Sequence, residues 1–598
     1  MAKKLILLFT VVLIFTACVT AIPSSAAEID FAVHVKGGGK EPVKTVEQLV
    51  ACFDDEYGVS HAEAEGNTVY LKDDVVLLTP IVISYGTYML DGRGCTVYRG
   101  YADGALIGLD GTKDSPSLFI GSAVREGETW DPLTDEPNIT LDGNMGEYPA
   151  NGIGLIYVKG QASLGVSGKT VFRNSAADRG AAIYMESYED GTSDNTLRSP
   201  SVDIQNTGFT GCNTVEGGIL YVDCEDYSAT LDIKKSAFKN NSAAQASLSG
   251  LGSCIRSEGG TVTVSDSTFE ACEANYGGSL YINSKCTVDN TSFTYGGATD
   301  EGGAIYVAED GELMLDTVKV SNNTVGKMGG GISSYGIVTV KGMSFIMDNT
   351  ADGYGGGIYN EGTLNIEEVN LVGNVSKTVG GGIFSEGERS AINISGGEIK
   401  NNKAKFVAAL YCEGKLTMSA GGIAKNKSDF PQVLLKKDSD ISASALISGD
   451  DVVGLCRTEV SDGVYYYPYV EVSKELREGV LIKIAVCNEK TDKNGVITGY
   501  KNITSNGSRI FYCPVEIEEK CAAWFDVQSR GLLSYSLKDS GTVSVRFIFL
   551  PIWAWLLIAL AIALAVCFVF RKRIFELVKN IRGKFKKKKA PIVHHKKR

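Results

Sequence analysis

The sequence predicts an all-β fold in which the chain coils as a parallel β-solenoid, and three observations predict it. A short glycine-rich phrase recurs through the middle of the chain, as in "GGAIYV" and "GGGIYN". Its copies stand about 26 residues apart, and two further apolar features follow each copy at fixed positions. Short strands of this kind cannot bury a face alone, but they can when each repeat stacks on the next.

The first feature is an isoleucine or leucine that follows the glycines, which we call the anchor. Successive anchors are separated by 27, 37, 35, 25, 25, 27, 26, 25 and 27 residues. The two long steps contain extra turn residues, which a coil accommodates by bulging outward. The anchors are Ile156, Ile183, Leu220, Ile255, Leu280, Ile305, Ile332, Ile358, Ile383 and Leu410.

The second feature is an alternating apolar pair, and the third is a single large apolar residue five positions later. Alternation over three to five residues is the periodicity of a strand. We expect all of these side chains to point into the core. The pairs are Leu231/Ile233, Val262/Val264, Leu313/Leu315, Val338/Val340, Leu364/Ile366, Ile392/Ile394 and Leu416/Met418, and the single residues are Phe238, Phe269, Val320, Phe345, Leu371, Ile399 and Ile423.

Two alternatives were weighed for these repeats. A propeller has antiparallel blades of about 40–50 residues, which fits neither the period nor the three features. A phosphate-binding glycine loop would be followed by a helix and a lysine, and neither is present. We therefore interpret glycines such as Gly355, Gly356 and Gly357 as corners, where a positive φ and a close backbone approach both favour glycine.

The pairing of "GG-x-I" with "F-x-x-N"-like turns resembles the repeats of polymorphic outer-membrane proteins and, more broadly, right-handed parallel β-helix surface proteins. The resemblance covers residues 156–423. It implies a right-handed coil and an adhesin-like role at a cell surface. The chain departs from that family because it ends in one apolar segment rather than a barrel, which favours an envelope with a single membrane.

Both ends of the chain predict targeting to a membrane. Residues 1–27 read as a cleaved signal peptide, with an uncleaved anchor or a lipoprotein signal at Cys18 as alternatives. Residues 547–570 are 24 uncharged residues, long enough for a single transmembrane helix. Residues 571–598 carry thirteen Lys or Arg and one acid, which predicts a cytoplasmic tail. The expected localisation is the cell membrane, single-pass and type I, with an extracellular body.

The body divides into three predicted parts. Residues 28–60 form an N-terminal cap with a short helix, whose capping box is Thr45 and Gln48 and whose apolar stripe is Val46, Leu49, Val50 and Phe53. Residues 61–440 form the solenoid, and residues 441–546 form terminal rungs or a small β cap. Residues 28–570 carry a net charge of about −27, which argues against nucleic acid as a partner.

Catalytic chemistry is weakly indicated, so we predict no catalytic residue, no cofactor and no metal site. Glu361, Glu386 and Glu413 recur on successive rungs but stand in a repeated "EG" turn. Asp450 and Asp451 resemble the paired aspartates of pectin-degrading hydrolases, without the accompanying histidine and arginine motifs. The four histidines are too few and too poorly placed for a triad or a histidine-metal scheme.

An aromatic residue directly follows most anchors, and strand alternation would turn it outward. One hypothesis is that this stripe binds a glycan or a surface protein by stacking. The simpler interpretation, which we favour, is that the rings stabilise their neighbours. The stripe is interrupted at Arg256 and Ser333, and its members are Tyr157, Tyr184, Tyr221, Tyr281, Tyr306, Tyr359, Phe384 and Tyr411.

Twelve cysteines lie between the predicted signal and the predicted membrane helix. Cys212 and Cys272 occupy equivalent turns two rungs apart, which is beyond the reach of a disulfide bond. We therefore interpret the cysteines as small core or turn residues. The sequence as a whole predicts a non-enzymatic adhesion or interaction protein, with a surface-anchored carbohydrate-active enzyme as the alternative.

Overall fold

A computed structural model shows a parallel β-solenoid. It describes residues 32–39, 41–122, 135–148, 152–189, 191, 197–224, 228–243, 250–429, 431–441, 446–448, 451–456, 458–461, 464–466, 470–471, 482–493, 497–502, 511–512, 525–527, 533–537, 543–547, 560–561, 575 and 578–581. The predicted signal peptide lies outside these residues, as do most of the predicted membrane helix and tail. Among the described residues, no helix is both long and apolar enough to cross a membrane.

The anchor sheet contains the strand that begins at each anchor. Its strands pair in parallel, so all ten predicted anchors stand in one interior file, each 0 or 1% exposed. The file continues at both ends, with Ile81 and Ile107 before it and Val433 and Val453 after it. The strands are Ile81–Ile83, Ile107–Gly111, Ile156–Gly160, Ile183–Glu186, Leu220–Asp223, Ile255–Ser257, Leu280–Ile282, Ile305–Val307, Ile332–Ser334, Ile358–Asn360, Ile383–Ser385, Leu410–Cys412, Val433–Leu435, Val452–Cys456, Ile482–Thr491 and Phe525–Val527, with Ile497–Asn502 antiparallel at the edge.

The pair sheet carries the alternating pairs, and every predicted pair residue is buried. Thr68–Leu71 pairs in parallel with this sheet and antiparallel with Ala62–Glu65. The remaining strands are Thr87–Asp91, Ser117–Ile120, Ser163–Val166, Ser201–Gln205, Thr230–Lys234, Thr261–Ser265, Lys285–Asp289, Glu312–Asp316, Ile337–Lys341, Thr363–Ile366, Ala391–Lys400, Lys415–Ala424, Ser439–Ile441, Val470–Glu471 and Phe511–Tyr512.

The third sheet carries the single apolar residues. Ala391–Lys400 and Lys415–Ala424 each continue through the corner, where their pairing register shifts, so one strand serves both the pair sheet and the third sheet. The other strands are Val33–Val35, Val75–Leu77, Cys95–Arg99, Ile139–Asp142, Thr170–Arg173, Thr207–Thr210, Ala237–Lys239, Thr268–Glu270, Ser292–Thr294, Lys319–Ser321, Phe345–Met347, Val369–Val372 and Leu446–Ser448.

One predicted core residue of the third sheet is wrong. Phe345 is 43% exposed, and Ile346 is the residue that pairs with Val320 and Leu371 inside the core. The corner before this strand holds one additional residue, with Gly342 and Met343 both at positive φ. The interval from Val340 to the core residue is therefore six, and the alternation turns Phe345 to the outside.

Phenylalanine rings stack through the interior of the third sheet. Neighbouring centroids are 4.5–5.0 Å apart, and the ring planes differ by 3–15°. The sequence analysis identified two members of this stack, Phe238 and Phe269, and missed the other three. The complete stack is Phe172, Phe209, Phe238, Phe269 and Phe293.

Seven of the described rungs also have a short fourth strand between the asparagine-rich turn and the glycines, which the sequence analysis did not predict. These strands carry no sustained apolar alternation, because they close the corner of the coil rather than one wall of its core. They are Ala176–Arg179 and Asn213–Gly217, and then Glu273–Tyr276, Gly297–Glu301, Thr324–Val325, Thr350–Ala351 and Val375–Ser376. Antiparallel pairs outside the coil are Tyr188–Glu189 with Leu197–Arg198, Thr458–Ser461 with Val464–Tyr466, and Leu533–Leu537 with Val543–Phe547.

The glycines at the corners have two separate roles. Gly355 has a φ of 65°, in the left-handed region that glycine adopts without a Cβ penalty. Gly356 has no such φ, but a Cβ there would lie 2.5 Å from the carbonyl oxygen of Gly381 in the next rung. Its N–H donates to the Gly380 carbonyl at 2.8 Å, so the stacked corners touch through their backbones.

The N-terminal helix, α1, spans Val46–Ala51 and has the predicted capping box. The hydroxyl of Thr45 accepts from the backbone N–H of Gln48, and the Gln48 side chain accepts from that of Thr45. Leu49 and Phe53 are buried in the core, and Val46 and Val50 pack against it. The helix thus lies on the solenoid, while its function as a cap over the open core remains a prediction.

A column of asparagines lies at one corner of the coil. The side-chain oxygen of each accepts from the backbone N–H in the preceding rung, as Asn374 does from Asn349 at 3.1 Å. Asp451 ends the column and accepts from the backbone and side chain of Asn426. Asp451 is 3% exposed, so it stabilises a turn, whereas Asp450 lies outside the described residues. The asparagines are Asn241, Asn323, Asn349, Asn374, Asn402 and Asn426.

Candidate functional site

The structure brings the predicted aromatic residues into one column on the outer side of the anchor sheet. Each directly follows an anchor, and because strand residues alternate in direction, it points away from the file of anchors. The pairing register places Arg256 and Ser333 in the same column, at the two predicted interruptions. The column runs Tyr157, Tyr184, Tyr221, Arg256, Tyr281, Tyr306, Ser333, Tyr359, Phe384 and Tyr411.

Ring contacts run along this column and bridge both interruptions. Tyr281 and Tyr306 stack with centroids 5.4 Å apart and planes 4° from parallel. The Arg256 guanidinium lies 4.6 Å from the ring centroid of Tyr221, which is cation–π geometry. Beside Ser333, Tyr335 contacts Tyr306 at 5.5 Å and Tyr359 at 5.9 Å. Tyr335 directly follows the strand Ile332–Ser334, two positions after the predicted column, so the anchor-plus-one rule did not find it.

A second column, rich in acids, lies beside the aromatic one. Its members follow the anchors by three positions, so alternation turns them to the same side of the sheet. The sequence analysis assigned three of them to solvated turns. Backbone hydrogen bonds between rungs hold them in line. Charged members are Lys159, Glu186, Asp223, Glu258, Glu361, Glu386, Glu413 and Lys436.

Tyrosine hydroxyls of the first column donate to carboxylates of the second. Tyr184 donates to Asp223 at 2.6 Å. The Tyr359 hydroxyl lies 2.5 Å from Glu361 and 2.7 Å from Glu386, and its one proton can be donated to either carboxylate. Burial, followed by hydrogen bonding to these two carboxylates, raises the pKa of the Tyr359 hydroxyl. The hydroxyl therefore remains a neutral donor between two acids of successive rungs.

A lysine balances the acids at the C-terminal end of the column. The Nζ atom of Lys436 lies 2.7 Å from Glu413 and 2.9 Å from Glu489. Burial alone would raise the pKa of the Glu413 carboxyl, but the charge of Lys436 and its hydrogen bond outweigh burial and lower it. Glu413 therefore contributes stability above its ordinary pKa, and the contribution is lost as the pH falls through the lowered value.

Glu386 has the opposite shift. Burial raises the pKa of its carboxyl, nearby Glu413 and Glu361 raise it further, and the hydrogen bond from Tyr359 and the charge of Lys436 oppose the shift. The folded protein thus binds the proton more tightly than the unfolded chain does. Ionised Glu386 costs stability at neutral pH, and the cost disappears as the pH falls toward the ordinary carboxyl value.

Glu386→Gln is therefore expected to raise the midpoint of thermal unfolding at pH 7. The amide oxygen can still accept from Tyr359, while the buried charge is removed. The advantage over the parent protein should shrink as the pH approaches 4.5, because the parent carboxyl then becomes protonated. Glu388→Gln is the matched control, since the Glu388 side chain is 89% exposed in the same turn. A parent protein at least as stable as Glu386→Gln at pH 7 would contradict this explanation.

Exposure divides the aromatic column into covered and accessible parts. Tyr359, Phe384 and Tyr411 are between 1 and 4% exposed, because they pack in one cluster with Phe406, Val407 and Ile497. Leu434 continues the column in the next rung. Ile497 belongs to the antiparallel hairpin of Ile482–Thr491 and Ile497–Asn502. Of the other predicted members, Tyr184 and Tyr221 are buried and Tyr157 is half-buried.

Four half-buried tyrosines in the middle of the solenoid form what we call the central aromatic patch: Tyr276, Tyr281, Tyr306 and Tyr335. Tyr276 meets Tyr306 edge-on with centroids 5.5 Å apart. The hydroxyls of Tyr281 and Tyr306 make no hydrogen bond to any residue that the structure describes. Tyr335 donates to Glu301 at 2.8 Å. The patch therefore offers four half-buried rings, two hydroxyls without a partner among the described residues, and adjacent polar groups to a ligand.

No protein-family model, no curated protein and no solved structure matches the chain. The parallel solenoid is established by its strand register, while the resemblance to polymorphic outer-membrane repeats stays an expectation from the repeat motif.

Proposed function

We propose that the chain is an adhesion or interaction protein of the cell surface, anchored in the membrane, which binds a glycan or a surface protein through the central aromatic patch. The observation that carries the proposal is the pair Tyr281 and Tyr306, half-buried and stacked, with hydroxyls unpaired among the described residues. Stacked rings bind the apolar faces of sugars or side chains, and free hydroxyls add hydrogen bonds.

The membrane anchoring in this proposal rests on the sequence. It places residues 1–27 as an export signal, residues 547–570 as the membrane helix and residues 571–598 in the cytoplasm. The right-handed coil implied by the repeat resemblance belongs to the same proposal. A solenoid suits the role, because it presents a long regular face whose chemistry is set by columns of equivalent residues.

Binding to a glycan array by the full 598-residue chain in detergent tests the proposal. Replacing Tyr281 and Tyr306 together with serine should weaken binding tenfold or more, because an aromatic contact contributes about 0.5–1.5 kcal/mol beyond burial. Tyr295→Ser is the control, since Tyr295 is 65% exposed but lies outside the patch. A protein-ligand screen on cell surfaces follows if no glycan binds. Unchanged binding by the double variant would refute the role of the patch.

The second candidate is a surface-anchored carbohydrate-active enzyme. It is favoured by Glu361 and Glu386, carboxylates on successive rungs that both lie within hydrogen-bond distance of the Tyr359 hydroxyl. It is opposed by the burial of Tyr359, which is 1% exposed within a packed apolar cluster. Release of sugars from a polysaccharide, abolished by Glu361→Gln, would establish this alternative.

A further inference from the structure

Two cysteines meet inside a single rung of the solenoid. Cys254 directly precedes the anchor Ile255, and Cys272 stands at the corner that the asparagine column turns in other rungs. Their Sγ atoms are 3.0 Å apart, and both residues are 0% exposed. Non-bonded carbon atoms are at their optimal separation at about 3.5–4.0 Å, and sulfur is the larger atom. The two thiols are thus closer than ordinary packing requires.

The same two positions contact each other in three other rungs, where they hold glycine and asparagine. A Cβ on Gly357 would lie 3.1 Å from the side chain of Asn374. The corresponding distance is 3.2 Å for Gly331 with Asn349, and 3.2 Å for Gly382 with Asn402. In the rung of Ile255 both members of this pair are cysteine. The residue before the anchor then carries a Cβ that reaches directly toward its partner.

The substitution of cysteine at this corner removes hydrogen bonds that the asparagines supply. The Nδ2 of Asn349 donates to Val320 and to Asn374, each at 3.0 Å. The Cys272 sulfur lies 3.5 Å from the backbone oxygen of Glu270 and 3.8 Å from that of Phe238, which are long contacts. The next rung has Gly296 at this position, so the asparagine column is interrupted over two consecutive rungs. A covalent link here would replace the stabilisation that is lost where the asparagine column is interrupted.

We propose that Cys254 and Cys272 form a disulfide bond that closes this rung on itself. Each thiol loses one hydrogen, and the two electrons reduce a disulfide of an exported thiol oxidoreductase or of a small-molecule disulfide, whose S–S bond breaks to give two thiols. The proposal goes beyond the proposed function and is independent of the ligand that the protein binds.

The bond forms while the rung is still open. In the finished coil both sulfurs are fully buried, so an oxidant has no access to them. The same burial then protects the disulfide from reductants. The bond closes a loop with 17 intervening residues and so restricts the conformations of the unfolded chain. The loop belongs to the rung that follows a long insertion.

Peptide mapping of the full chain tests this proposal directly. The chain is refolded in detergent with oxidised and reduced glutathione, and free thiols are then alkylated in denaturant without reduction. We expect a linked pair of peptides that contain Cys254 and Cys272, with a mass lower by two hydrogens than the sum of the thiol forms. Cys212 stands in the same corner column as Cys272, two rungs away, and should be alkylated. Alkylation of both Cys254 and Cys272 in refolded protein would overturn the proposal.

A double variant provides the second readout. Cys254→Gly with Cys272→Asn restores the pair found in other rungs and should fold without a disulfide here. A reductant present during refolding should lower the thermal midpoint of the parent protein by several degrees and leave that of the variant unchanged. Equal effects of the reductant on both proteins, including no effect on either, would overturn the proposal.

Discussion

Gly330→Ala is expected to destabilise the protein by more than about 4 kcal/mol, which is exceptional for the addition of one methyl group. The new Cβ would lie 2.1 Å from the carbonyl oxygen of Gly356 and 2.9 Å from backbone atoms of Thr350. These atoms belong to the next rung and are held by its hydrogen bonds, so they cannot yield as a flexible side chain would. The clash can be relieved only if the stacked rungs separate. The measurement is the free energy of unfolding from a denaturant titration.

The control is Gly297→Ala, one rung away. Gly297 has no positive φ, and its nearest neighbours would lie 3.8 Å from a new Cβ, which is ordinary contact. Its effect should stay within about 0.5 kcal/mol or be slightly stabilising, because alanine restricts the unfolded chain. If the two variants had similar stabilities, the corners would not be stacked backbone to backbone as described.

Phe269→Ala is expected to cost about 3–5 kcal/mol, the range for removing a buried phenylalanine. The ring is 1% exposed and stacks between Phe238 at 4.5 Å and Phe293 at 4.7 Å. Its loss leaves a cavity inside the coil that the rungs above and below cannot fill, because their positions are fixed by the sheet. Denaturant unfolding again measures the change.

Phe345→Ala is the matched control for this prediction. The sequence pattern assigned Phe345 to the same core position, but the structure exposes 43% of it and buries Ile346 instead. Its removal should cost less than about 1 kcal/mol. A cost for Phe345→Ala equal to that for Phe269→Ala would mean that the register of this strand is the one the sequence pattern predicted.

The interior of the solenoid was predictable because the alternation of strand residues between core and solvent is directly visible in the sequence. All ten anchors and all seven pairs are buried as the spacing predicts. The errors arise where a corner changes length. The additional residue near Gly342 turned Phe345 outward, and a corner lengthened in the same way at Gly168 and Lys169 places Phe172 six residues after Val166. Phe209 and Phe293 follow Ile204 and Val288 at the predicted interval of five, so the spacing rule could have found them.

The sequence predicted that the residues of the candidate site lie in one column, but it did not predict which of them are exposed. The aromatic column follows from its position beside the anchors. Its covering near Tyr411 depends on the hairpin around Ile497, which lies outside the repeat. The contact between Cys254 and Cys272 was also missed, because the sequence analysis considered only cysteines at equivalent positions of different rungs. The true neighbours lie across one rung, at two different corners.

The most direct test of the solenoid is whether the distance between two labelled residues increases with the number of rungs between them. Asp232 and Thr339 share a column of the pair sheet four rungs apart, and Asp232 and Asn393 share it six rungs apart. Spin labels are introduced at these positions as non-natural amino acids, since the chain has 14 cysteines. Pulsed electron–electron double resonance should then give a longer distance for the second pair by about 10 Å, at about 4.8 Å per rung. Equal distances, or a shorter distance for the six-rung pair, would contradict the solenoid.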